Sequence, residues 1–213
     1  MKPDVSLCVI LDREAARERD LDQILDAVIA GGCRMVQLRE KEWTTRRLLP
    51  LAERLRQRAQ EAAVTFIVND RLDLALAIGA DGLHVGQDDL PAPVARKLLP
   101  AGMILGVSTH SVAQARQAQT DGADYVAVGS IYPTATKEAF ELVGLELIRR
   151  VRPLVTVPLI AIGGITAVNA AEVIRAGADG IAVISAVLGA PDPLAATRAL
   201  LEQIRSAARP PPH

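Results

Sequence analysis

The chain has 213 residues, with 24 Lys and Arg against 25 Asp and Glu, so its formal charge is −1. That balance argues against a nucleic-acid-binding protein, which usually carries a basic excess or stripe to meet phosphates, and five scattered aromatics (Trp43, Phe66, Tyr125, Tyr132 and Phe140) give little material for a base-stacking platform. Apolar residues make up 50% of the chain but come in short bursts, none approaching the roughly 18 residues of a membrane span. The first burst, ended by Asp12, is too short for a signal peptide. A chain of this mass buries roughly 70% of its extended surface, enough for one core without disulfides or structural metal. Cys8 and Cys33, without CxxC or His-spaced partners, read as buried, reduced thiols of a cytoplasmic protein.

β-Branched runs alternate with longer amphipathic ones, eight of each. Strands are predicted at Val5–Asp12, Arg34–Glu40, Thr65–Asp70, Gly82–Gly86, Ile104–Ser108, Tyr125–Gly129, Pro158–Gly164 and Gly180–Ser185. Helices are predicted at 20–31, 44–63, 71–79, 91–99, 111–121, 144–153, 166–177 and 192–208. In the first of them Leu21, Ile24, Leu25, Val28 and Ile29 share one face, the spacing of a helix packed on a sheet. Residues 1–208 form one domain in this reading, and Arg209–His213 is expected to be a disordered tail.

An internal repeat accompanies the alternation. Gly79-Ala80-Asp81, Gly122-Ala123-Asp124 and Gly177-Ala178-Asp179 each precede an alternating apolar run, and Gly32-Cys33-Arg34 is a weaker copy. The Gly suits a left-handed helix C-cap and the next two residues a tight turn into the strand. The copies precede the second, fourth, sixth and eighth strands, which fits a closed α/β ring, a (β/α)8 TIM barrel, better than an open sheet. The one long loop runs from Ser130 to Val143.

In such barrels chemistry sits at the C-terminal strand ends. Gln37, Arg39 and Lys41 alternate at the end of the second strand, so all three face inward at the mouth, where an unpaired cation is costly unless an anion binds there; the bland alternative is a basic rim paired to Glu40 or Glu42. Asp70 and Asp89 follow adjacent strands and could share a hard cation such as Mg²⁺, which takes few protein ligands. The competing reading makes them helix caps, and Asp88 reads as a cap or a solvated turn. Gly163-Gly164 after the seventh strand and Ile184-Ser185 after the eighth stand where this fold places a phosphate. His84 reads as a packed core residue and His110 as a mouth or helix-start residue. No Ser/His/Asp or Cys/His constellation appears.

The motifs Val36-Gln37-Leu38-Arg39-Glu40-Lys41, Val68-Asn69-Asp70, Gly82 through Pro91, Gly106-Val107-Ser108-Thr109-His110, Gly129 through Lys137 and Ala161 through Ile165, in this order, resemble those of the thiamine phosphate synthases. The resemblance runs from the first strand through Pro193. It implies an Mg²⁺-dependent transferase joining 4-amino-2-methyl-5-hydroxymethylpyrimidine diphosphate to 4-methyl-5-(2-phosphoethyl)thiazole or its carboxylated form, with release of pyrophosphate through a pyrimidine methyl cation. Carried over, Gln37, Arg39, Lys41, Asn69, Ser108 and Lys137 would contact the pyrimidine diphosphate, Arg39, Lys41 and Lys137 steadying the leaving group. Asp70 and Asp89 would carry Mg²⁺, while Thr134, Thr136, Gly164, Ile184 and Ser185 would hold the thiazole phosphate. The long loop becomes a closing element.

Two other readings stand beside it. A thiazole tautomerase shares the barrel and the repeats but carries a His at the sixth strand end, where this chain has Ser130, and here the Asn69-Asp70 pair is kept. A non-catalytic phosphate-ligand sensor is the third. The expected partners are small molecules, neither nucleic acid nor membrane, and a homo-oligomer is left open.

Overall fold

The β-branched runs form eight parallel strands that close into a barrel in sequence order, each hydrogen-bonded to the next and the last to the first. The computed structural model describes residues 3–133 and 142–208; the expected tail from Arg209 lies outside them. The strands are β1 (Leu7–Asp12), β2 (Met35–Arg39), β3 (Thr65–Asn69), β4 (Gly82–Val85), β5 (Ile104–Thr109), β6 (Tyr125–Val128), β7 (Leu159–Ile162) and β8 (Gly180–Val183). Most end one or two residues before the predicted boundary, because the polar residues there leave the ladder to build the mouth.

The helices are α1 (Arg13–Ala16), α2 (Leu21–Ala30), α3 (Thr45–Glu61), α4 (Leu72–Ala77), α5 (Ala92–Leu98), α6 (Val112–Thr120), α7 (Gly144–Val151), α8 (Ala170–Arg175), α9 (Ser185–Leu188) and α10 (Pro193–Ala207). α1 and α9 are short turns at the mouth that the apolar pattern is too brief to announce. α8 starts later than the predicted residue 166, because Thr166–Asn169 closes on itself: the Thr166 amide donates to Asn169 Oδ1 at 2.8 Å. Among the described residues no helix is long and apolar enough to cross a membrane.

Alternation divides the core in two. Residues such as Val9, Val36, Phe66, Leu83 and Val126 face the helices and form the larger cluster. Cys8, Ile10, Met35, Ile67, Tyr125, Ile160 and Ala182 fill the ring itself. Both cysteines are free and buried, and burial pushes their thiols up, Cys33 to about 11.

The repeat has a physical job at the bottom of the barrel. Gly79, Gly122 and Gly177 take positive φ and end their helices as left-handed caps. The following aspartates then reach sideways to the start of the preceding strand. Asp81 Oδ2 accepts from the Phe66 amide, Asp124 Oδ2 from Leu105 and Asp179 Oδ2 from Leu159, each at 2.8 Å. Each also pairs with an arginine, Arg56, Arg96 or Arg152. One residue thus ties a helix end, two strands and a cation, and recurs every second strand.

Inside the ring, Tyr125 takes the position that Gly82 and Gly180 hold in the other two full copies of the repeat. Its ring is accommodated by Gly106, which lies in register between His84 on β4 and Tyr125 on β6. A Cβ at Gly106 would stand 2.1 Å from Tyr125 Cζ and 2.5 Å from His84 Nδ1. His84 and Tyr125 stack across that gap with centroids 5.5 Å apart. Gly106→Ala is therefore expected to lower unfolding stability by about 1–3 kcal/mol through overpacking; chemical denaturation checks this, and an unchanged midpoint would contradict the packing described.

Candidate active site at the barrel mouth

The end of β2 supplies cations and its neighbours supply the carboxylates that hold them. Arg39 stands in register with Asp12 of β1, and its guanidinium pairs with Asp12 Oδ2. Lys41, beyond the strand end, pairs with Asp70 Oδ2. The expectation of an unpaired cation is corrected here: both are paired, and neither uses Glu40 or Glu42. Those two carboxylates bind Arg13 instead.

Glu40 pins the loop that carries Lys41. Its side chain is 2% exposed, Oε1 accepts from the amides of Glu42 (2.6 Å) and Trp43 (3.1 Å), and Oε2 accepts from Arg13. Burial alone would raise its pKa, but the two amides and the guanidinium outweigh burial and hold it below the ordinary range. Arg13 and Arg47 also lie over the Trp43 ring at 4.9 and 3.9 Å. From the other flank Arg71 donates to Trp43 O at 3.3 Å and to Thr45 Oγ1.

Asp70 and Asp89 meet. Asp70 has φ +60°, a conformation aspartate tolerates better than most residues, and its amide donates to His84 O at 2.7 Å. Asp89 Oδ2 accepts from the Gly86 amide at 2.8 Å, which turns the carboxylate back toward the barrel. Neither caps a helix: Arg71 and Pro91 hold those positions, without side-chain caps. The two carboxyls lie within hydrogen-bonding reach of each other. Burial and the Asp89 contact raise Asp70, against the pull of Lys41. Burial also pushes Asp89 up, but hydrogen bonds from Asp70 and the Gly86 amide hold it below the usual range. Asp88 is exposed in the turn, as expected.

Asn69 ends β3 beside His84 in register. His84 is buried as expected, with Nε2 2.8 Å from Ser108 Oγ and Nδ1 2.9 Å from the Tyr125 hydroxyl. Gln37, on β2, is 5% exposed. Ser108 also accepts Gln87 Nε2 on its carbonyl at 2.7 Å. His110 serves both of its expected roles: it lines the mouth, its Nδ1 2.6 Å from Gly129 O, and its amide donates to Gln114 at the start of α6.

Ser108, His110, Gly129, Ser130, Gly163, Gly164, Ile184 and Ser185 line one cavity. Gly163 and Gly164 have φ +105° and +62°, and a Cβ on Gly164 would lie 2.5 Å from Pro133 O, so only glycine lets the β6 and β7 loops touch. Ile184 follows β8 as the N-cap of α9, which Ser185 opens, the short extra helix that this fold sets beside a phosphate. Asp12 and Ser185 line a further groove between α1 and α9. Thr134, Thr136 and Lys137 lie outside the described residues.

The sequence agrees with this geometry. A family model described as thiamine monophosphate synthase matches residues 7–187. The chain belongs to the thiamine monophosphate synthase family. Within the family it is similar to a thiamine-phosphate synthase of Moorella thermoacetica, 50% identical over 96% of this chain and 98% of that protein. A second, from Roseiflexus castenholzii, is 51% identical over 91% of this chain and 86% of that protein. The solved thiamine phosphate pyrophosphorylase from Pyrococcus furiosus is 37% identical with TM-score 0.88, covering 97% of this chain and 98% of that one.

Several residues of this family site carry no sequence signal of the kind used above. Asp12 could have been found, since it is an acid at a strand end opposite Arg39. Arg13, Glu40 and Arg71 are single charges among many, and only the fold shows which neighbour each one meets.

Glu40→Gln is expected to lower unfolding stability by about 1–3 kcal/mol near neutral pH, since it weakens charge-assisted bonds to a buried group. Because the folded pKa of Glu40 is depressed, its contribution is present above the unfolded value and lost as pH falls through the folded one. Denaturation curves of wild type and variant should therefore converge in acid; a gap that persists there would contradict the assignment.

Proposed function

We propose that the chain condenses 4-amino-2-methyl-5-hydroxymethylpyrimidine diphosphate with 4-methyl-5-(2-phosphoethyl)thiazole, giving thiamine phosphate and pyrophosphate, or with its carboxylated form, giving the same products and CO₂. The observation that carries the proposal is the division of one mouth into an Arg39–Lys41–Asp70–Asp89 half and a Gly163-Gly164/Ile184-Ser185 half, in a chain of this family. Two anionic substrates need two such sites. No feature of the comparisons favours an isomerase or a sensor.

The chemistry suits a site with cations and no nucleophile. The bond between the pyrimidine methylene and the diphosphate oxygen breaks, leaving a methyl cation stabilised by the ring amino group, and the thiazole nitrogen then donates its pair to that carbon. Arg39, Lys41 and, by resemblance, Lys137 meet the charge that grows on the departing diphosphate. At an effective dielectric of 20, one such pair at 4 Å is worth about 4 kcal/mol before desolvation. Gln37, Asn69 and Ser108 orient the pyrimidine, and Thr134, Thr136, Gly164, Ile184 and Ser185 hold the thiazole phosphate. Enclosure by the mouth keeps water from the cation.

Asp70 and Asp89 fit a magnesium ion. Half-buried carboxylates within hydrogen-bonding reach need a proton or a cation between them, and two oxygen donors leave the remaining positions of a hard ion to water and phosphate. Among the described residues no cluster of three or more His, Cys, Asp or Glu offers a fuller cage. When bound, Mg²⁺ supplies further positive charge to the leaving diphosphate.

Incubating the purified chain with both substrates, with and without Mg²⁺, tests the proposal directly. Thiamine phosphate should form only with the metal. Asp70→Asn should reduce that turnover about 100-fold while the protein stays folded; wild-type turnover in the variant would count against the metal assignment, and no product from wild type would overturn the reaction.

A further inference from the structure

Three polar side chains climb from the packed ring to the mouth: Tyr125 on β6, His84 on β4 and Ser108 on β5. Tyr125 and His84 flank Gly106 in register, and Ser108 stands two residues beyond Gly106 on the same face of β5. The Tyr125 hydroxyl is 2.9 Å from His84 Nδ1, and His84 Nε2 is 2.8 Å from Ser108 Oγ. Tyr125 and His84 are buried, whereas Ser108 is partly exposed and lines the cavity. The barrel makes room for this arrangement, since a side chain at Gly106 would strike both rings.

The direction of each proton follows from what the groups can reach. A phenol has one O–H, and leaving a buried donor unbonded is costly. Among the described residues the structure gives the Tyr125 hydroxyl one hydrogen-bond partner, His84 Nδ1. The phenol proton therefore points to Nδ1, which is the accepting nitrogen. A neutral imidazole has one N–H, so that proton sits on Nε2 and is donated to Ser108 Oγ. A charged ring would donate from Nε2 as well. Ser108 thus receives a proton on the side of the ring, and its own O–H turns toward the cavity. Each bond polarises the next in the same direction.

We propose that Tyr125 and His84 are positioning residues that hold Ser108 as a hydrogen-bond donor to the pyrimidine diphosphate. The partner of Ser108 on that substrate is then an acceptor atom, a phosphate oxygen or a ring nitrogen. It is not the 4-amino group, which offers only N–H bonds. The inference rests on the reaction proposed above and adds to it two residues that need not touch the substrate.

The polarity can be read directly by nuclear magnetic resonance. The chain has three histidines, so the ¹⁵N-labelled protein gives few imidazole signals, and those of His84 are the ones lost in His84→Asn. Correlations between the ring carbon protons and the two nitrogens show which nitrogen holds the proton. In the wild-type chain Nε2 should carry it; a bare Nε2 would overturn the inference, because Ser108 would then be donating to the ring. Tyr125→Phe removes only the hydroxyl, so an Nδ1–H population should grow. Calorimetry should show the same variant binding the pyrimidine diphosphate about tenfold more weakly, the cost of one well-made bond in a buried site. In a Ser108→Ala background the change at Tyr125 should cost no further affinity. Wild-type affinity in Tyr125→Phe, or losses that multiply in the double variant, would each sink the coupling. Ser108→Ala should also cost the same factor against an analogue with hydrogen in place of the 4-amino group; a loss that vanishes with the analogue would mean that Ser108 reads the amino group, against the inference. The tautomer measurement needs no change at Tyr125 and decides the matter even if Tyr125→Phe does not fold. Absence of product from wild type would overturn the reaction, and with it the substrate named here, but not the direction of the bonds.

Discussion

Two carboxylates, Asp70 and Asp89, are held against each other at the ends of neighbouring strands, and much of the mouth answers the electrostatic cost of that contact. Like charges in a half-buried site cannot both ionise freely without compensation. Lys41 supplies part of it, a shared proton can supply the rest, and a divalent cation would supply more than either. The contact is imposed by the fold. Asp70 is turned inward by a left-handed backbone step fixed to His84 O, and Asp89 by its bond to the Gly86 amide. The loop of Lys41 is then pinned from both sides, by Glu40 and Arg13 on one flank and Arg71 on the other. Side chains this constrained lose little entropy when an anion arrives, which is what a site for electrostatic catalysis requires.

The opposite half works by backbone rather than charge. Gly163 and Gly164 let the β6 and β7 loops meet at distances a side chain would forbid, and Ser185 begins a short helix beside them. Ser108 stands at the junction, lining the cavity of one half while its hydroxyl meets the His84 ring beside the other. In the proposed reaction, a substrate that loses its diphosphate and one that attacks would thereby meet at one opening from two sides.

The barrel was legible because its signals are local and repeated. The Gly-Ala-Asp turns announce their own caps, and their recurrence every second strand implies closure even before pairing is known. The inward direction of Gln37 and Arg39 followed from period-two geometry. What could not be read were the partners of those charges. Arg39 meets Asp12 across a gap of 27 positions in the chain, and no spacing rule distinguishes that pair from Arg39 with Glu40 or Glu42. The late start of α8 was hidden for a related reason: Asn169 closes a turn on Thr166 and so delays a helix that the apolar pattern alone would begin earlier. Gly106 looked like any strand glycine until Tyr125 and His84 were seen on either side of it.

Diffraction from crystals grown with Mn²⁺, as an anomalous stand-in for Mg²⁺, and pyrophosphate would test the central claim most directly. The anomalous peak should lie between the Asp70 and Asp89 carboxylates, with pyrophosphate oxygens on the metal and within reach of Arg39 and Lys41. A peak away from that pair, or pyrophosphate seated among Gly164, Ile184 and Ser185 with the carboxylates still in contact, would contradict the division of the mouth on which the account stands.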